Sequence, residues 1–124
     1  MPVSVDWWNA MAIQQLQQRD TEISECIDHC SEAAQACEMC ADACADEGPE
    51  MARCLRLCRD VADLASLHAR FMARESEFHS QQASLVADAA EACRDECTQH
   101  DMDHCQTCAE VLEPCIESCR AMAQ

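Results

Sequence analysis

The chain has no tyrosine, no lysine and a single glycine, with only three prolines among its 124 residues. Sandwiches, barrels and loop-rich disulfide scaffolds need turn residues at short intervals, so those folds are excluded. Aromatic residues are 3% of a composition that is 49% hydrophobic. A core without aromatic bulk must be filled by small side chains, and here those are Ala and Cys. The class that remains is all-α. No segment reaches the roughly 18 apolar residues of a membrane helix. The first basic residue is Arg19, so a positively charged secretory start is also missing. The expected location is the cytoplasm, where thiols are kept reduced.

Positive charge is scarce as well. Against 24 acidic residues stand 8 basic ones, all Arg, for a net charge of -16. Such a surface repels phosphate backbones and anionic lipid, so neither nucleic acid nor membrane is expected as a partner.

What the chain has in abundance is cysteine, thirteen in all. The number is odd, so complete intrachain pairing is impossible. The stretch "CIDHCSEAAQACEMCADAC", Cys26 to Cys44, carries five thiols in nineteen residues and contains neither Gly nor Pro. Fingers and knots crowd cysteines around turns. This row is straight.

The breakers divide the rest. Gly48-Pro49 reads as one helix end and the first turn of the next helix. "ARESE" marks a second corner, with Ser76 able to cap the third helix, and "TQHDMD" a third corner, with Asp101 as the cap of the fourth. Asp20 or Thr21 can cap the first long segment. The expected architecture is an antiparallel up-down-up-down four-helix bundle over residues 20–124, with helices at about 21–46, 49–73, 77–99 and 102–122. Residues 1–19 form a short N-terminal arm. In it Trp7, Trp8, Met11, Ile13 and Leu16 make an amphipathic stretch able to pack on the bundle or on a neighbouring subunit.

Heptad register explains the straight row. The inward seam of the first helix carries Cys26, Cys30, Cys37, Cys40 and Cys44, with Ile23 and Ala33. The second carries Cys54 and Cys58 with Met51, Val61, Ala65, His68 and Met72. The third carries Cys93 and Cys97 with His79, Ala83, Val86, Ala90 and His100. The fourth carries Cys105, Cys108, Cys115 and Cys119 with Leu112 and Met122. All thirteen cysteines therefore face inward. Antiparallel order gathers Cys40, Cys44, Cys54, Cys58, Cys93, Cys97, Cys105 and Cys108 at one end, here called the upper end. Toward the lower end only the first and fourth helices keep thiols.

Cysteine can serve as a small buried hydrophobe, but Ala, Val and Leu fill cores without its oxidation hazard. Disulfides fit poorly. Side chains at i and i+4 hold their Cβ atoms about 5–6 Å apart, whereas a disulfide wants about 3.5–4.5 Å. A metal ion closes that gap, since two bonds of about 2.3 Å, as for zinc, span sulfurs near 4.6 Å apart. Soft thiolates select Cu(I), zinc and iron–sulfur clusters. Zinc wants closed tetrahedra, usually on C-x2-C knuckles, and clusters sit in wrapping loops. A continuous row suits an ion with two or three ligands and bridging sulfurs, which is Cu(I). The alternatives are a zinc or other soft-metal buffer, and a thiol redox or iron–sulfur protein.

"CIDHC", "MARCLRLCRD", "FMARESEF" and "EACRDECTQHDMDHCQTCAE" together resemble the cytosolic type of the four-helix-bundle copper storage proteins, over about residues 22–122. The resemblance implies storage of many Cu(I) ions per chain on inward-facing cysteines, and a homo-tetramer. The chain departs from the pattern at Ala33, Val61, Ala65, Ala83, Val86, Ala90 and Leu112, where members of the family often have cysteine.

Met51, His100, Met102 and His104 lie at the upper mouth. Thioether and imidazole bind Cu(I) without losing a proton, so Met51 and His104 are the added candidate ligands, able to pass the ion inward from a donor such as a chaperone or a small thiol. Met39, beside the seam, reads as packing. His68 and His79 read as core histidines satisfied by hydrogen bonds. Pro114 removes one backbone bond from the fourth helix, so a kink is expected there. No paired carboxylates, catalytic Cys-His-Asp set or helix-opening redox C-x-x-C stands out. The expected role is binding, not catalysis.

Overall fold

The computed structural model describes residues 7–124, except for the side chains of residues 7, 8 and 16–20. Its helices are α1 (Trp7–Cys44), α2 (Ala52–Ala73), α3 (His79–Cys97) and α4 (Asp103–Met122), with a 3₁₀ turn at Pro49–Met51 before α2. Each helix packs on two others: α1 on α2 and α4, and α3 on the same pair. Sulfur pairs fix the directions. Cys54 faces Cys97 while Cys58 faces Cys93, and Cys37 faces Cys108 while Cys30 faces Cys115. Both pairings are antiparallel. The bundle runs up, down, up, down.

The largest departure from expectation is at the start. α1 is one helix of 38 residues, and residues 7–20 continue it without a break. Asp20 and Thr21 do not begin a helix. A capping side chain acts only where the upstream backbone leaves helical geometry, and "MAIQQLQQRDTE" contains no Gly or Pro to make it leave. Its Met, Leu, Gln and Arg residues are good helix formers. Met11 and Ile13 on this extension are 48% and 54% exposed. The side chains of Trp7, Trp8 and Leu16 lie outside the described residues.

The corners obey local chemistry. Gly48 has φ 104°, a left-handed value that suits glycine, and Pro49 opens the next turn. A Cβ on Gly48 would also meet the Glu50 carboxylate at 2.8 Å. At the second corner the Phe78 backbone N–H donates to Ser76 Oγ at 3.1 Å. That bond closes the turn and leaves Phe78, not Ser76, at the cap position of α3. Met102, rather than Asp101, holds the cap position of α4. Pro114 sits inside α4, which continues through it.

The seam is the core. Every cysteine is buried, and all thirteen are free thiols. Cys is joined inside by Ala33, Met51, Val61, Ala65, His68, Met72, Ala83, Val86, Ala90 and Leu112, all at most 1% exposed. Ile23, His79, His100 and Met122, at the ends of the seam, are only partly covered. Among the described residues no helix is long and apolar enough to cross a membrane.

Candidate metal centre

The thiols fall into two groups along the bundle axis. In the upper group the donor atoms of Cys37, Cys58, Cys93 and Cys108 lie within 4.8 Å of one another. The same holds for Cys40, Cys54, Cys58 and Cys97, and again for Cys40, Cys44, Cys105 and His104. Cys58 belongs to two of these sets, and so does Cys40. The sets are therefore rungs of one ladder, joined through shared sulfurs. Within it Cys58–Cys93, Cys37–Cys108 and Cys54–Cys97 are 3.6, 3.7 and 3.7 Å apart. Metal–sulfur bonds of about 2.3 Å in a tetrahedron need sulfurs roughly 3.7 Å apart, and a linear two-coordinate ion needs about 4.6 Å. Small rotations of these side chains serve either case.

The lower group contains Cys26, Cys30, Cys115 and Cys119. Cys30 lies 3.7 Å from Cys119 and 3.9 Å from Cys115. Seven residues separate Cys30 from Cys37, and seven separate Cys108 from Cys115, so the two groups are about 10 Å apart along the axis. Ala33, Val61, Ala90 and Leu112 occupy the interval, each 0% exposed. An apolar layer thus divides the tube.

At the upper mouth His104 bridges protein and ladder. Its Nε2–H donates to Glu47, at 2.8 and 3.0 Å from the two carboxylate oxygens, while Nδ1 faces Cys40 Sγ at 3.2 Å and Cys105 Sγ at 3.6 Å. The carboxylate holds the tautomer that keeps Nδ1 free for a soft ion, the usual support of a metal-binding imidazole. Burial pushes the Cys44 thiol up to about 12 and the Cys105 thiol up as well. Hydrogen bonds from Cys40 and Cys58 hold Cys54 down to about 7. An incoming ion must displace protons at Cys44 and Cys105.

The other mouth residues are placed differently. Met51 is fully buried in the wall of the tube. His100 Nε2 binds Glu96 at 2.8 Å, which also pairs with Arg53 at 2.9 Å. The His100 bond holds the Glu96 carboxyl below its usual range, and Glu96 in turn raises His100. Met39, expected in the packing, is 72% exposed. It rims a groove of about 550 Å³ between α1 and α4, whose lining includes Cys40, Cys108 and His104. This groove reaches the ladder from the side. Sequence reasoning missed Glu47 and the groove, because neither corner residues nor the gap between two helices carries a periodic signal.

A closed helical bundle whose core is an array of convergent thiols, with an imidazole at its mouth, is a soft-metal-binding protein. The chain belongs to the copper storage protein family, whose profile matches residues 19–124. It is 40% identical over 100 residues to YhjQ, a cysteine-rich protein of Bacillus subtilis, covering 79% of this chain and 93% of YhjQ. Its fold is similar to that of the Cu(I)-bound copper storage protein Csp3 of Bacillus subtilis, at TM-score 0.79 and 38% identity over 83% of this chain and 99% of that one. A cytosolic copper storage protein from Streptomyces lividans carrying five coppers matches at TM-score 0.78 and 30% identity, over 83% of this chain and 92% of that one.

Proposed function

We propose that this chain stores and buffers Cu(I) in the cytosol, holding many ions on the inward thiolates and catalysing nothing. The observation that carries the reading is the sharing of Cys40 and Cys58 between neighbouring four-donor sets. Shared sulfurs let each further ion use thiolates already in place, which suits an ion of low coordination number better than isolated zinc tetrahedra or a cluster. The ligands are Cys26, Cys30, Cys37, Cys40, Cys44, Cys54, Cys58, Cys93, Cys97, Cys105, Cys108, Cys115 and Cys119. His104 is the receiving ligand, and Met51 is a thioether at the same end. A copper-carrying donor, a chaperone or a small thiol, would deliver the ion through the groove beside Met39 and His104. The exposed apolar residues of the α1 extension favour assembly with further copies, for which a homo-tetramer is the expected form.

Anaerobic titration of the reduced chain with Cu(I) tests the reading. The expected outcome is more than about eight ions per chain, from sulfurs bridging two-coordinate copper. Saturation at one or two would overturn it. His104→Phe should slow loading from a Cu(I)–chelator complex in stopped-flow and leave final capacity nearly intact. Analytical ultracentrifugation decides the tetramer.

A further inference from the structure

The lower group holds its imidazole wholly buried, whereas His104 at the top of the ladder is partly exposed. His68 is 0% exposed, and one of its ring nitrogens lies within 4.8 Å of the sulfurs of Cys26, Cys30 and Cys119, which lie equally close to one another. Its Nδ1–H donates to Gln82 Oε1 at 3.2 Å. Nε2 is buried and has no hydrogen-bond partner among the described residues. A buried lone pair without a donor costs stability unless something occupies it, and its neighbours are three soft donors.

We propose that in the copper-free chain Cys26, Cys30, Cys119 and His68 form a four-coordinate site for one divalent ion of the Zn(II) class, set apart from the copper ladder by the apolar layer. Three features carry the assignment. The donor set is three thiols and one imidazole, a known composition of closed tetrahedral zinc sites. Gln82 fixes the imidazole from behind, as outer partners of zinc-bound histidines do. The set shares no sulfur with any other four-donor set, and the apolar layer separates it from the ladder, so only Cys115, 3.9 Å from Cys30, is placed to draw these sulfurs into bridging. Charge separates it from the two all-thiol sets above, and the lack of a shared sulfur separates it from the Cys40, Cys44, Cys105 and His104 set, whose Cys40 also serves the ladder. With Zn(II), three thiolates and a neutral imidazole leave one net negative charge in a dry interior, whereas four thiolates leave two. Ligands come from α1, α2 and α4 and the support from α3, so the ion would tie all four helices at the end opposite the mouth.

The test uses the full reduced chain, free of copper, with Zn(II) and Co(II) as probes. Nitrogen-15 NMR of labelled histidine should show the His68 Nε2 resonance moving on Zn(II) addition while Nδ1 stays protonated. His68→Phe and Cys119→Ser should each bind one ion fewer than the wild type and lose the thiolate–imidazole component of the Co(II) spectrum. Cys115→Ser should keep both, since Cys115 is outside the set. Gln82→Leu should weaken the site about tenfold or more. An unmoved His68 resonance at saturating Zn(II), read on the wild type, would overturn the proposal whatever the variants do. So would an unchanged ion count in a His68→Phe chain whose circular dichroism is native. Cu(I) capacity, measured in parallel, keeps the storage reading apart: a chain that loads copper but leaves His68 untouched sinks this site alone.

Discussion

The two ends of the tube use the same side chain for different arrangements. Above the apolar layer all four helices contribute thiols, and the four-donor sets overlap at Cys40 and Cys58. Below it only α1 and α4 contribute thiols, α2 supplies His68, and the set stands alone. The difference comes from α2 and α3, which carry Val61, Ala65, Val86 and Ala90 where the upper half carries Cys54, Cys58, Cys93 and Cys97. A thiol on every wall makes a ladder whose sulfurs can be shared. Thiols on two adjacent walls make a pocket, and the opposite wall must complete it with another donor.

Removing the shared sulfurs should break this contrast most strongly. Cys40→Ala with Cys58→Ala should cost the ladder about three or four Cu(I), because each sulfur serves two sets, against about two for Cys115→Ala with Cys119→Ala. Copper counts after anaerobic gel filtration would measure it. Equal losses in the two double variants would mean that the sets do not share ions.

The apolar layer comes next. Leu112 is 0% exposed and fills the interval between the groups. Leu112→Ala should destabilise the apo chain by about 2–5 kcal/mol through lost burial and the cavity left behind, with Cu(I) capacity unchanged. Chemical denaturation of the reduced apo chain gives the first value, and titration gives the second. A copper count that fell with stability would show the layer to be part of the store.

The smallest effect is that of pH on the mouth. Cys44, raised to about 12 by burial, and Cys105, raised for the same reason, are protonated at neutral pH. Each proton displaced by Cu(I) makes apparent affinity rise about tenfold per pH unit while the pH stays below the thiol value. Cys54, near 7, adds a further dependence only below neutrality. Competition with a Cu(I) chelator between pH 6 and 8 should therefore show tighter mouth binding as pH rises. A flat profile would mean that these two thiols are not ligands.

Much of this was readable in the linear chain, for a physical reason. A helix repeats every 3.6 residues, so spacings of three and four place Cys26, Cys30, Cys37, Cys40 and Cys44 on one face whatever surrounds them. Gly48 and Pro49 stop a helix through their own backbone chemistry. The inward thiols, the four-helix count and the thiol-poor lower walls of α2 and α3 all come from such local rules. Periodicity carries no information about which side chains from different helices meet at one height. The sharing of Cys40 and Cys58, the reach of Glu47 across to His104, and the Gln82 bond that leaves His68 Nε2 unpartnered each depend on how four helices slide and rotate against one another. The extent of α1 was hidden for the opposite reason: Asp20 and Thr21 have the chemistry of a cap, but a cap needs a chain that turns away, and residues 7–20 do not turn.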